Sequence, residues 1–344
     1  MGLDIDGKIA AVAKKMNVNT PTRGEVFQDV HKAIQQIKAE HSFQHWVYVG
    51  WCLFTTIALP IVFVSFLLNP SAILSVLSAF LWVTYSFNIF HMRNHKGGNL
   101  YGIKFLDNLL NPIYDFAEST WAIRPQAWID NHNGSHHVYT NSCSEDHDVW
   151  NPHPLLRLHP RQPYHWVHSL QSIYAPFLFL ATTSSYPFDN MLKHGGGVVP
   201  FLVWVAASFC VPAFSGWSGP LYVIGMYFVT GIMMSYLFQV SHNHCHLGPR
   251  NEPITDIDHW IKMQVEESVS WGGYLSGLFF GGINFQTEHH VAPALDSTLY
   301  YYLHPKLVEI CKKHNITYTY EPTGLHAVYQ YHRWLSLMAS GKHE

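Results

Sequence analysis

Four groups of histidines carry the chemistry this chain is able to do. They are His91 and His95, then His132, His136 and His137, then His242, His244 and His246, and finally His289 and His290, preceded by Gln286. Three of the four contain a pair spaced i, i+4, which a helix places on one face, so that two imidazoles point at one ion. Neutral imidazole binds zinc, copper, iron or nickel. Eight or more such ligands exceed what one tetrahedral zinc uses, and they fit two ions, each with an open position. The cysteines Cys52, Cys143, Cys210, Cys245 and Cys311 are scattered, which excludes a disulfide framework and a thiolate zinc site. The Glu-x-x-His motifs of carboxylate-bridged metal bundles are missing as well. A pair of irons that binds O₂ is the economical reading of an all-histidine, open site.

The elements that position these groups are legible in the charge pattern. Charged residues make up 12% of the 344 and aromatics 15%, a balance that suits membrane interfaces. Residues 46–90 and 195–241 contain no Asp, Glu, Lys, Arg or His. A bilayer core about 30 Å thick takes roughly 20 helical residues to cross, so each stretch holds two spans and a turn. Asn69-Pro70 and the run Ser215–Pro220 mark the turns, and Pro60 predicts a kink. All 20 Lys and Arg lie outside these stretches, which puts the three hydrophilic segments on one side, the cytosolic one. The expected fold is an all-α integral membrane protein: four transmembrane helices in two hairpins, with a His-rich cytosolic helical domain. Its segments are 1–45, cytosolic or interfacial; 46–90, hairpin one; 91–196, cytosolic; 197–241, hairpin two; and 242–344, cytosolic. Phe27, Val30, Ile34 and Ile37 recur at helical spacing, either in an interfacial helix or in one packed on the cytosolic part. No basic patch with interleaved aromatics suggests nucleic acid. Gly2 invites myristoylation, but Asp6 stands where Ser or Thr is expected.

The boxes resemble those of membrane fatty acid desaturases, HxxxH, HxxxHH and a third box ending in HH. Gln286-Thr287-Glu288-His289-His290-Val291-Ala292-Pro293 is similar to the QIEHHLFP of front-end acyl desaturases. Gln264-Val265-Glu266-Glu267-Ser268, Gly281-Gly282-Ile283-Asn284-Phe285 and Ser241-His242-Asn243 extend the likeness. The resemblance implies an O₂-dependent di-iron enzyme that puts a double bond into a fatty acyl chain on a lipid or on coenzyme A. Hydroxylation, acetylenic bond formation, or desaturation of a sphingoid or specialised chain use the same boxes. A more distant alternative is a His-rich membrane zinc protein. The implied iron ligands are His91, His95, His132, His136, His137, His242, His289 and His290, with Gln286 a weak or water-mediated one and His246 a competitor for the place of His242. His147, His153, His159, His165 and His168 are expected to be structural or exposed. Asp130, Asn131, Asn141, Asp146 and Glu288 are candidates to orient the ligands; Trp121, Trp128, Trp271 and Tyr274 are candidates to line an acyl tunnel. Only 45 residues precede the first span, fewer than a fused cytochrome b5 domain needs. Electrons are therefore expected from a separate cytochrome b5 or ferredoxin with its reductase. The implied location is the endoplasmic reticulum or a bacterial inner membrane, with the boxes and both termini cytosolic.

Overall fold

A computed structural model describes residues 23–195, 197–247 and 254–339. The expectations about Gly2 and the chain ends lie outside these residues. The backbone is mostly helical, and its contacts group it into two compact units.

One unit, within Val49–Ile129 and Pro176–Tyr236, contains the apolar helices. Helix α2 (Phe43–Leu68) runs 26 residues with Pro60 inside it, and α3 (Ala72–His95) runs 24. Ser71 starts α3 by accepting a hydrogen bond from Leu74 N–H, after the turn at Asn69-Pro70. Helices α7 (Val198–Ala213) and α8 (Ser218–Gln239) form the second pair, joined through Gly216, whose φ of +105° only glycine adopts readily. Three helices, α2, α3 and α8, are long and apolar enough to cross a membrane. The 16 residues of α7 reach about 24 Å, short of the roughly 30 Å core. The two turns adjoin: Ser215 Oγ lies 3.4 Å from the Leu68 carbonyl. Gly231 lets α8 approach α6 (Gln171–His194) closely, because a Cβ there would sit 2.4 Å from the Phe179 carbonyl oxygen. Helix α4 (Lys104–Ser119) is turned inside out relative to a water-soluble helix. Phe105, Leu109, Ile113 and Phe116 face outward, while Asp107, Tyr114 and Glu118 are buried. There the Arg93 guanidinium bonds Asn111 at 2.9 Å and Glu118 at 3.1 Å, and also pairs with Asp115.

The other unit, within Met1–Tyr48, Asp130–Ala175 and Leu237–Glu344, has its own apolar core. Helix α1 (Glu25–Glu40) buries Val26, Phe27, Val30, Ala33, Ile34 and Ile37 against α9 (Ile257–Glu266) and α12 (Tyr300–Lys313). Its first N–H groups lack helical partners, and the Asp258 carboxylate accepts from Val26 and Phe27 at 3.1 Å each. Of the two readings of this amphipathic segment, the packed one holds. The fold is not purely helical. Val269–Trp271 (β1) pairs in parallel with Thr319–Glu321 (β2), three residues each, too short to register as a periodic signal.

Candidate metal centre

The first pair sits where α3 outruns its apolar stretch. The helix carries on past Phe90 through a widened turn, Ser86–His91, into Met92–His95. His91 Nε2 and His95 Nε2 stand 3.3 Å apart, and the Trp128 ring lies edge-on to both at 5.6 Å. The i, i+4 spacing thus puts the two rings on one face of the helix.

The other unit gathers six imidazoles. Helix α5 (Pro125–Asn131) leads into a second widened turn, His132–His136, closed by a hydrogen bond from His137 N–H to the His132 carbonyl. That i, i+5 closure changes the pairing expected from the sequence. His132 Nε2 faces His137 Nε2 at 3.1 Å, while His136 lies parallel to His132 with ring centres 5.2 Å apart. His136 instead meets His242 and His290, with ring centres at 4.6 and 5.0 Å. His242 follows the end of α8; past α10 (Tyr274–Phe279), His289 and His290 lie on the short helix α11 (Gln286–Val291). His137 stacks on His290 at 4.2 Å and meets His289 at 4.8 Å. All six are buried.

The partner of each Nδ1 fixes where the ring proton sits. His136 Nδ1–H donates to Asp146 Oδ2 at 2.9 Å, His242 Nδ1–H to the Glu267 carbonyl at 3.3 Å, and His290 Nδ1–H to Gln264 Oε1 at 2.8 Å. Tyr300 gives its own hydrogen to the Ala292 carbonyl and accepts from His289 Nδ1–H at 3.2 Å. In all four rings Nε2 therefore carries the lone pair. His136, His242 and His290 bring ligand nitrogens within 4.8 Å of one another. His242 Nε2 and His290 Nε2 are 3.2 Å apart, two lone pairs face to face. Nitrogens sharing an ion at about 2.1 Å, with about 90–110° between them, stand about 3.0–3.4 Å apart. The donor set thus fits a metal ion. Gln286 closes this side, its amide nitrogen 2.7 Å from His242 Nε2 and 3.0 Å from His290 Nε2. Either end of the amide suits that place: the NH₂ donates to both lone pairs, and after a half-turn Oε1 donates to a cation.

The electrostatics agree with ligation, which requires neutral imidazole. Burial above all pushes His242 down to about 3. Burial pushes the Asp146 carboxyl up, but His136 and the N–H groups of Asp148 and Asn141 outweigh it and hold Asp146 below the usual range.

The remaining expectations sort cleanly. His246 is exposed while His242 joins the cluster. His168 Nε2–H and His153 Nε2–H donate to the carbonyls of Pro154 and Pro163, as structural histidines do. Glu288 accepts from Ser270, His304 and Tyr318, and Asp130 is exposed. Trp121 stacks on Trp82, Trp271 donates to Ser241, and Tyr274 donates to Gln44. The sequence reading missed Gln264, Glu267, Thr140 and Tyr300 as orienting groups. Gln264 and Glu267 lie in the stretch that carries the family likeness, but nothing in their spacing points at a ring nitrogen.

Residues 70–322 match the family model described as fatty acid desaturase. The chain belongs to the fatty acid desaturase family. Among its relatives it is 25% identical over 321 residues to an sn-1 linoleoyl-lipid 6-desaturase of Synechocystis, covering 85% of each chain. It is 27% identical over 267 residues to a chloroplastic acyl-lipid (7-3)-desaturase of Chlamydomonas reinhardtii, covering 68% of this chain and 49% of that one. It is 28% identical over 244 residues to the Delta(5) fatty acid desaturase A of Dictyostelium discoideum, covering 62% of this chain and 53% of that one. The chain thus spans about half the length of the algal and amoebal relatives and most of the cyanobacterial one. For a desaturase, buried imidazoles with lone pairs turned towards one another are the expected furnishing of a metal centre.

Proposed function

We propose that this desaturase is a di-iron enzyme of the front-end type, which uses O₂ to place a double bond in the acyl chain of a lipid or a coenzyme A ester. The observation that carries the reading is the pair of facing lone pairs on His242 and His290, each fixed by an acceptor behind its ring. By family likeness the ligands are His91, His95, His132, His136, His137, His242, His289 and His290, with Gln286 at a weak position.

When bound, two irons supply the reduction of O₂ that stripping an unactivated alkyl chain demands. Over the whole reaction two hydrogens leave adjacent carbons, and two electrons and two protons from outside complete the conversion of O₂ to two waters. The electrons come from a cytochrome b5 or a ferredoxin. The protein's own groups do the rest. Asp146, Gln264, Tyr300 and the Glu267 carbonyl hold the ring protons on Nδ1 and leave Nε2 as donor. The burial of all six rings excludes water from the site.

In this reading α2, α3, α7 and α8 are four spans in two hairpins, with residues 1–45, 91–196 and 242–344 on the cytosolic side. The adjoining turns of the hairpins and the restriction of every Lys and Arg to the other segments support this. The membrane is the endoplasmic reticulum or a bacterial inner membrane.

Expression in a host fed defined fatty acids, with products read by mass spectrometry, tests the reaction. We expect a new double bond between an existing one and the carboxyl end. A hydroxylated or acetylenic product would overturn it.

A further inference from the structure

We infer that Gln264 is a positioning residue that sets the ring proton of His290, and with Thr140 locks His290 to His136, an inference that rests on the metal-centre reading above. Gln264 is fully buried on α9. The neighbouring Trp260, Ile261 and Val265 are set in the apolar core of that unit, so the helix gives Gln264 a fixed base. Ser268 Oγ–H donates to the Gln264 carbonyl at 2.5 Å, and Trp260 Nε1–H donates to the His137 carbonyl at 3.3 Å, which ties α9 to the turn carrying the second box.

The side-chain amide has a single workable orientation. Its Oε1 accepts from His290 Nδ1–H at 2.8 Å and lies 2.9 Å from the Thr140 hydroxyl. That hydroxyl also lies 2.9 Å from the His136 carbonyl and 3.2 Å from His290 Nδ1. If the amide were reversed, its N–H groups would face Nδ1 and force the ring proton onto Nε2. That proton would point at His242 Nε2, 3.2 Å away, and close the place where a metal binds. Asn141 extends the clasp. Held at φ +58°, it donates its backbone N–H to Asp146 Oδ2 at 2.8 Å, and its side-chain amide donates to the carbonyls of His242 and Glu267 at 3.0 Å each. The dipeptide Thr140-Asn141 thus touches the segments carrying His136, His242 and His290 without ligating anything.

The test compares two substitutions of nearly the same size. Q264L removes the acceptor, whereas Q264E keeps an oxygen facing Nδ1. The iron-loaded full-length protein is challenged with a chelator, and the release of iron is followed beside the unfolding midpoint of each variant. We expect Q264L to release iron about 10- to 100-fold faster than the parent, and Q264E to stay within about threefold of it. T140V, which removes only the bridging hydroxyl, should fall between them, and it carries the test if Q264L does not fold. A purely structural role would lower the midpoints of both Gln264 variants and separate neither in iron release. Equal release from Q264L and Q264E, or release from Q264L or T140V at the parent rate, overturns the inference alone. A parent protein that holds no iron overturns the proposed function along with it.

Discussion

A buried imidazole serves as a metal ligand only while one nitrogen is stripped of hydrogen, so the group behind each ring matters as much as the ring. The sequence displays the rings, because HxxxH and HxxxHH are patterns of residue type. It hides the groups behind them: Gln264 lies 26 positions from His290, and the acceptor for His242 is a backbone carbonyl. His159 shows the opposite use of burial. Its ring is buried beside Arg157 and Arg161, and desolvation first, then those two charges, push it from 6.5 to about 4. A depressed histidine contributes stability that is complete above pH 6.5 and lost as the pH falls toward 4, because the unfolded chain takes up a proton the folded one refuses. His159→Gln should therefore gain on the parent by roughly 1–2 kcal/mol between pH 7 and pH 4.5, after allowing for solvent screening. Unfolding midpoints in detergent measure this. Parallel pH curves for the two proteins would contradict it.

Elements were legible where they are long and uniform. The charge-free stretches gave the four apolar helices and both turns, because a bilayer-length run of apolar residues has few other solutions. Two local features were not legible. The widened turn at His132–His136 follows from one extra residue in a backbone ring, which no side-chain pattern marks, and it exchanged the expected partner of His132. The β1–β2 pair depends on residues about 50 apart in sequence, and three-residue strands leave no alternation to read. The hairpins themselves make a direct prediction. Cysteines introduced at Asn69 and Trp217, in the two turns, should react with an impermeant thiol reagent only from the side opposite to one at Gln36 on α1. Labelling of either turn from the Gln36 side would contradict the two-hairpin topology.

At the scale of the molecule, apolar helices and imidazoles divide the labour. One unit carries the helices α2, α3, α7 and α8 and ends α3 in His91 and His95. The other builds an apolar core from α1, α9 and α12, and on it hangs six rings with their hydrogen-bond partners. Residues 91–129 and 176–194 pack with the apolar helices despite their polar content. The Arg93 guanidinium at the end of α3 explains part of that: it pairs with the buried Glu118 and the exposed Asp115 of α4, so Glu118 is not left as a lone buried charge. The central claim is that the clustered imidazoles hold a pair of irons. Metal analysis of the purified full-length protein, beside its His136→Ala variant, tests it most directly. The account predicts about two irons per chain in the parent, with loss of iron and of turnover in the variant; a single zinc in the parent, or a variant that keeps its iron and full activity, would contradict it.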